Sequence, residues 1–95
     1  MLAVALDASG AVRDVLALAD GAASHADLPV PAVLAEVLAR GAATVALAHS
    51  HSGEATVLPS DRAATRALAE GARACGLGFL AHVIVGRDGW AEAPP

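Results

Sequence analysis

Aromatic side chains are almost missing from this sequence: Phe79 and Trp90 stand alone, and there is no tyrosine. A core built on large rings is therefore excluded, and Val, Leu, Ile and Ala must fill it. Alanine supplies about a quarter of all residues, and small side chains each bury little apolar area, at about 25 cal/mol per Å². Modest stability is expected, which a homodimer contact would raise. Lysine is absent altogether, and the six arginines are scattered from Arg13 to Arg87 under a net charge of −4. Nucleic-acid binding calls for clustered basic residues, so it is disfavoured for this segment. The single cysteine, Cys75, cannot form an internal disulfide, which fits a reducing cytoplasm. No apolar run approaches the roughly 20 residues of a membrane span, so no membrane partner is expected. Met1 to Leu6 is apolar but lacks the basic leader and cleavage region of a signal peptide.

The chain is 56% hydrophobic and 17% charged, which rules out a disordered segment. Its 95 residues suffice for one small domain, residues 1–95. Met1 to Asp7 alternates, with Leu2, Val4 and Leu6 on one side and alanine on the other, and reads as a strand. Asp7-Ala8-Ser9-Gly10 is a turn signal, and Val12 to Leu18 supplies the second arm of an antiparallel hairpin. Residues 20–30 read as a polar loop that includes a solvated His25.

Pro31 suits the first turn of a helix whose buried stripe is Val33, Leu34, Val37 and Leu38, with Gly41 closing it. Ala43 to Ala48 is a continuous apolar run, as in a buried central strand, and it leads into His49-Ser50-His51-Ser52-Gly53. Ser60 or Asp61 can cap a second helix over about 61–75, with Ala64, Leu68, Ala72 and Cys75 on its apolar face. Leu80 to Val85 is a further strand, followed by a turn at Arg87-Asp88-Gly89 and a frayed tail. The order β-β-α-β-α-β predicts an α/β (α+β) domain, a mixed sheet flanked by helices.

Chemistry gathers at the two histidines. In extended backbone, positions i and i+2 point to one face, so His49 and His51 can converge on one cation. Zinc takes nitrogen at about 2.0–2.1 Å and usually wants a third protein ligand; Asp61, at the start of the next helix, is the obvious donor. A zinc ion there would acidify water and polarise a carbonyl. A bare H-x-H is also what two solvated histidines at a strand end look like.

The wider pattern resembles the RadC-like JAB domain of the JAMM/MPN metallopeptidase superfamily. Leu6-Asp7, Gly10, Gly21, Pro31 with its helix, Gly41-Ala42-Ala43 and Leu47-Ala48-His49-Ser50-His51-Ser52-Gly53 follow that family in order and spacing. So do Thr65-Arg66-Ala67-Leu68, Gly76-Leu77 and His82-Val83-Ile84-Val85-Gly86. The resemblance implies a JAMM/MPN-like (cytidine-deaminase-like) architecture, zinc as cofactor, and hydrolysis of a peptide or isopeptide bond in a peptide or protein substrate. The JAMM pattern is Glu, then H-x-H-x7-S-x2-D: two histidines and the aspartate bind zinc, the glutamate is the general base, and the serine helps hold the oxyanion. Carried over, His49 and His51 match the histidines and Asp61 the aspartate.

Three departures stand out. Asp61 follows His51 by ten positions where the family has eleven. Aligned through Thr65-Arg66, Asp61 is the ligand and Leu58 takes the serine slot; aligned through Pro59-Ser60, Ser60 falls near the serine and Ala63 on the ligand. The first keeps the helix register, and Ser60 can still donate from the helix start. Second, the family's glutamate is expected upstream of the first strand, where this sequence begins. Glu36 reads as a solvated helix residue, whereas Glu54 lies in the loop beside the histidines and is the candidate carboxylate for proton transfer. Third, Ala81 replaces the aspartate that usually precedes the histidine of the H-x-I-I-G strand. His82 itself reads as a structural strand histidine, with a role behind the metal ligands as the alternative. Cys75 reads as a small core residue. Besides a zinc hydrolase, a non-catalytic metal-binding or protein-interaction module of the same fold is the competing expectation. The DNA-repair association attached to RadC-like proteins is disfavoured by composition.

Overall fold

A computed structural model describes residues 1–18 and 28–95. The expected loop over 20–30, with His25, falls mostly outside the described residues. Strands β1 (Leu2–Leu6), β2 (Val12–Ala17), β3 (Thr44–Ser50), β4 (Gly78–Val85) and β5 (Trp90–Glu92) form one mixed sheet in the order β2-β1-β3-β4-β5. Helices α1 (Val30–Ala39) and α2 (Pro59–Ala74) complete the fold. β1 pairs antiparallel with both β2 and β3, whereas β3 and β4 run parallel with α2 as their crossover. The α+β reading of a mixed sheet with helices therefore holds. Among the described residues, no helix is long and apolar enough to cross a membrane.

The β1–β2 turn forms as its residues dictate. The Asp7 carboxylate accepts from the backbone N–H groups of Ser9 (2.8 Å) and Ala11 (3.0 Å) and from the Ser9 hydroxyl. These hydrogen bonds, the Ser9 hydroxyl first, hold the Asp7 pKa below the ordinary carboxylate range.

The core lies between one face of the sheet and both helices. Ala3, Ala5, Val45 and Leu47 point from β1 and β3 onto Val33, Leu34 and Val37 of α1 and Leu68 and Ala72 of α2. On β1 the side under the helices is thus the alanine side; on the other side Leu2 is 41% exposed. Alanine lets the helix layer approach the sheet closely, so the small residues take the inner face. Leu38, expected in the α1 stripe, is instead exposed at its margin.

α2 begins at Pro59, earlier than expected, because proline at the first helical position already lacks the N–H that a helix start leaves unused. Asp61 reaches back from the first turn and accepts from the Leu58 backbone N–H at 2.8 Å. At the other end Gly76 adopts φ +76°. Leu77 N–H then donates to Ala72 and Gly76 N–H to Arg73, the six-to-one and five-to-two pair of a Schellman motif. This turn brings Leu77 into the core and leaves Cys75 exposed at the helix end, contrary to its expected place inside.

The tail after Arg87-Asp88-Gly89 is not frayed. β5 pairs antiparallel with β4, Ala93 N–H donates to the His82 carbonyl at 2.8 Å, and Ala93 is 1% exposed. β4 starts at Gly78, two residues before the expected Leu80, because it continues directly from the helix-ending turn.

Candidate metal centre

β3 carries the apolar run outward to its C-terminal end, where His49 lies within the strand and His51 just beyond it. His51 N–H donates to the Val85 carbonyl at 2.9 Å, which continues the parallel ladder past Ser50. The two imidazoles meet edge to face with centroids 4.7 Å apart. Their side chains are 8% and 18% exposed.

Asp61 arrives from the first turn of α2 and is fully buried. Its Oδ1 lies 3.5 Å from His49 Nε2 and its Oδ2 3.9 Å from His51 Nε2. One ligand atom from each of the three residues lies within 4.8 Å of the others. Ligands at zinc's 2.0–2.1 Å in a tetrahedron stand about 3.3 Å apart. The two Asp61 oxygens stand near this distance from the imidazole nitrogens they face, and two nitrogens with one carboxylate oxygen suit a metal of borderline softness. Ala63, the ligand position of the alternative alignment, offers no donor atom.

The loop between His51 and α2 is pinned from below. Arg87 N–H donates to the Gly53 carbonyl at 2.8 Å. Gly86 lies so close that a Cβ there would overlap the Ala55 backbone nitrogen and stand 2.7 Å from Glu54 C. The glycine that ends the His82–Gly86 motif therefore lets this loop cross the end of β4 on its way to Asp61.

The other expected site residues lie outside the three-ligand group. Ser60 is half-buried in the first turn of α2, one residue before Asp61. Glu54 is exposed and lines a separate cavity with Asp88 and Trp90. Glu36 sits on α1 in an ion pair with Arg40, as a solvated helix residue. Leu58, in the serine slot, contributes its backbone N–H to Asp61.

Two further residues join the site: His82, whose role behind the metal ligands was the alternative to a structural one, and Thr65, which the sequence did not tie to it. His82, fully buried, places Nε2 3.0 Å from His49 Nδ1 and Nδ1 3.0 Å from Thr65 Oγ1. Thr65 also lies 3.0 Å from the carbonyl oxygens of Asp61 and Ala93. Both residues belong to motifs legible in the sequence, but nothing in a linear pattern pairs His82 with a residue of β3.

A cleft of about 310 Å³ opens beside His49, lined by Met1, Leu2, Ala48, His49, Ser50 and Val85. The antiparallel register sets Leu2 opposite Ala48, so the start of β1 comes alongside the histidines.

Comparison with known proteins agrees with this geometry. The family model for the RadC-like JAB domain matches residues 1–92. A UPF0758 protein of Symbiobacterium thermophilum is 33% identical over 90 residues, covering 94% of this chain. The chain spans 38% of the length of that curated relative.

Proposed function

Because the chain belongs to the RadC-like JAB domain family, we propose that it is a zinc metallopeptidase-like domain that hydrolyses a peptide or isopeptide bond. The observation that carries this reading is the meeting of His49, His51 and Asp61 between the end of β3 and the first turn of α2. When bound, zinc supplies Lewis acidity and acidifies water toward neutral pH. His49, His51 and Asp61 are the residues that would hold it. The Leu58 N–H orients the Asp61 carboxylate through Oδ2, and the positive end of the α2 dipole favours negative charge there. The cleft beside His49 gives an extended peptide or protein substrate a place to lie. Ser60, one residue before Asp61, is the candidate for the oxyanion, and Glu54, in the loop after His51, the candidate for proton transfer. The exposed, free Cys75 fits a reducing cytoplasm.

One observation bears on the rate expected of these 95 residues by themselves. Glu36 is the first glutamate of the sequence, and it is engaged with Arg40 on α1; no strand before His49 carries one. A positioned general base contributes about 10²- to 10⁴-fold and one oxyanion donor roughly 10²- to 10³-fold. The zinc-loaded 95-residue chain is therefore expected to be a slow catalyst.

The test is zinc content after metal loading, with His49→Ala and His51→Ala as controls, followed by turnover of ubiquitin-like isopeptide and generic peptide substrates. Equal zinc in wild type and both variants would overturn the metal reading. Zinc bound with negligible turnover supports the non-catalytic module. Fast, chelator-sensitive turnover that disappears in His51→Ala supports the hydrolase and points to Glu54, to be checked by Glu54→Gln.

A further inference from the structure

We infer that Thr65 and His82 form a hydrogen-bond relay that holds His49 as its Nδ1–H tautomer, so that Nε2 presents its lone pair toward the cation position. The inference rests on the metal reading for its use but not for its geometry.

The relay follows from counting protons. The Thr65 hydroxyl has one hydrogen and three neighbours at 3.0 Å: the Asp61 carbonyl, the Ala93 carbonyl and His82 Nδ1. Carbonyl oxygens only accept. If the hydroxyl donated to His82, its own oxygen would face two carbonyl oxygens with no hydrogen between them. Sharing its one hydrogen between the two carbonyls in a bifurcated bond avoids this, and the hydroxyl oxygen then accepts from His82 Nδ1–H. A neutral imidazole with its proton on Nδ1 has a bare Nε2. His82 Nε2 lies 3.0 Å from His49 Nδ1, so the shared proton belongs to His49 Nδ1. The proton of neutral His49 is thereby used, and its Nε2 faces Asp61 Oδ1 at 3.5 Å as a metal ligand must. A bond to one ring nitrogen setting the role of the other is the general device by which proteins orient ligating histidines.

A defect in the sheet makes the relay possible. Along β3, Val45 pairs with Phe79 and Leu47 with His82, so two steps of β3 match three of β4. Strict alternation would put Phe79 and His82 on opposite faces. The bulge turns both to the helix side, where Phe79 packs on the core and His82 meets Thr65 of α2. Bulges often re-aim a side chain next to a functional site. Thr65 and His82 are positioning residues: they act on the cation through His49.

The test reads the tautomer itself. Long-range ¹H–¹⁵N spectra of the ¹⁵N-labelled 95-residue chain, metal-free and at a pH where the imidazoles are neutral, should show His49 and His82 both as Nδ1–H. Finding His49 as Nε2–H overturns the relay whatever the metal does. Thr65→Val removes the hydroxyl at similar volume and should mix the His49 tautomers and weaken zinc binding by roughly 10- to 100-fold. Thr65→Ser should retain both properties. Should Thr65→Val fail to fold, His82→Gln and His82→Leu replace it. Glutamine can accept from His49 and donate to Thr65, so it should keep the tautomer that leucine loses. Where wild type binds zinc, equal affinity in the disrupting variants overturns the relay. A wild-type chain with His49 locked as Nδ1–H but no affinity for zinc overturns the metal reading and leaves the relay standing.

Discussion

Asp61 serves two structures at once. One of its oxygens completes the start of α2 by accepting from Leu58 N–H, and both face the histidines. Two substitutions separate these roles. Asp61→Asn keeps a carbonyl that can accept from Leu58 but removes the charge. In metal-free protein its melting temperature should stay close to wild type, since a buried charge is itself costly. Asp61→Ala also loses the acceptor, and a lost helix-start bond of this kind costs about 1 kcal/mol. Neither variant should gain stability from zinc. Calorimetry with and without zinc distinguishes the cases; a zinc response preserved in Asp61→Asn would remove Asp61 from the ligand set.

Turns and loops hold these side chains in place, and two glycines show how differently a methyl group can act on them. At Gly76 nothing lies within 4 Å of an added Cβ, so Gly76→Ala pays only for the left-handed backbone, about 1–2 kcal/mol. At Gly86 the methyl would meet the backbone of Glu54 and Ala55. Backbone cannot swing aside as a side-chain end can, so Gly86→Ala should cost at least the upper part of the 1–3 kcal/mol typical of overpacking, about 2–3 kcal/mol. It should also weaken zinc binding by displacing the loop that leads to Asp61, whereas Gly76→Ala should not. Urea titration and zinc titration of the two variants check the contrast.

The hairpin turn makes a separate prediction about pH. Its Asp7 pKa is lowered in the folded chain, so its contribution is complete above the ordinary carboxylate range. That contribution is lost as pH falls through the lowered folded value. The stability gap between wild type and Asp7→Ala should therefore be widest near neutral pH and close in acid, as followed by thermal melts across pH.

At the scale of the whole molecule, an alanine-rich core against which only one aromatic residue, Phe79, packs leaves stability modest, and a ligand that binds only the folded state should show clearly against it. Zinc at about 1,000 times its Kd adds roughly 4 kcal/mol. For a domain of this size that is a rise in Tm on the order of 15 °C or more. The rise should reverse with chelator and be absent in His49→Ala. An unchanged Tm at saturating zinc would count against a site formed by the folded chain.

Local pattern determined much of this protein. Alternation placed the hairpin arms, the Val33–Val37 stripe placed α1, proline marked the start of α1 and glycine the end of both helices, and the i, i+2 spacing put His49 and His51 on one face. Each of these follows from backbone geometry within a few residues, so a linear reading reaches it. Tertiary structure decided the rest. Which face of β1 is inner depended on how closely the helices approach. The tail became β5 because β4 offered an unpaired edge, and Cys75 was turned outward by the helix-ending bend. The histidines acquired Asp61 and His82 through the parallel pairing of β3 with β4, and His82 faces inward only because of the bulge between Phe79 and His82. Such contacts join residues as far apart as His49 and His82, 33 positions along the chain, and a side-chain period of two cannot register a bulge before the partner strand is known.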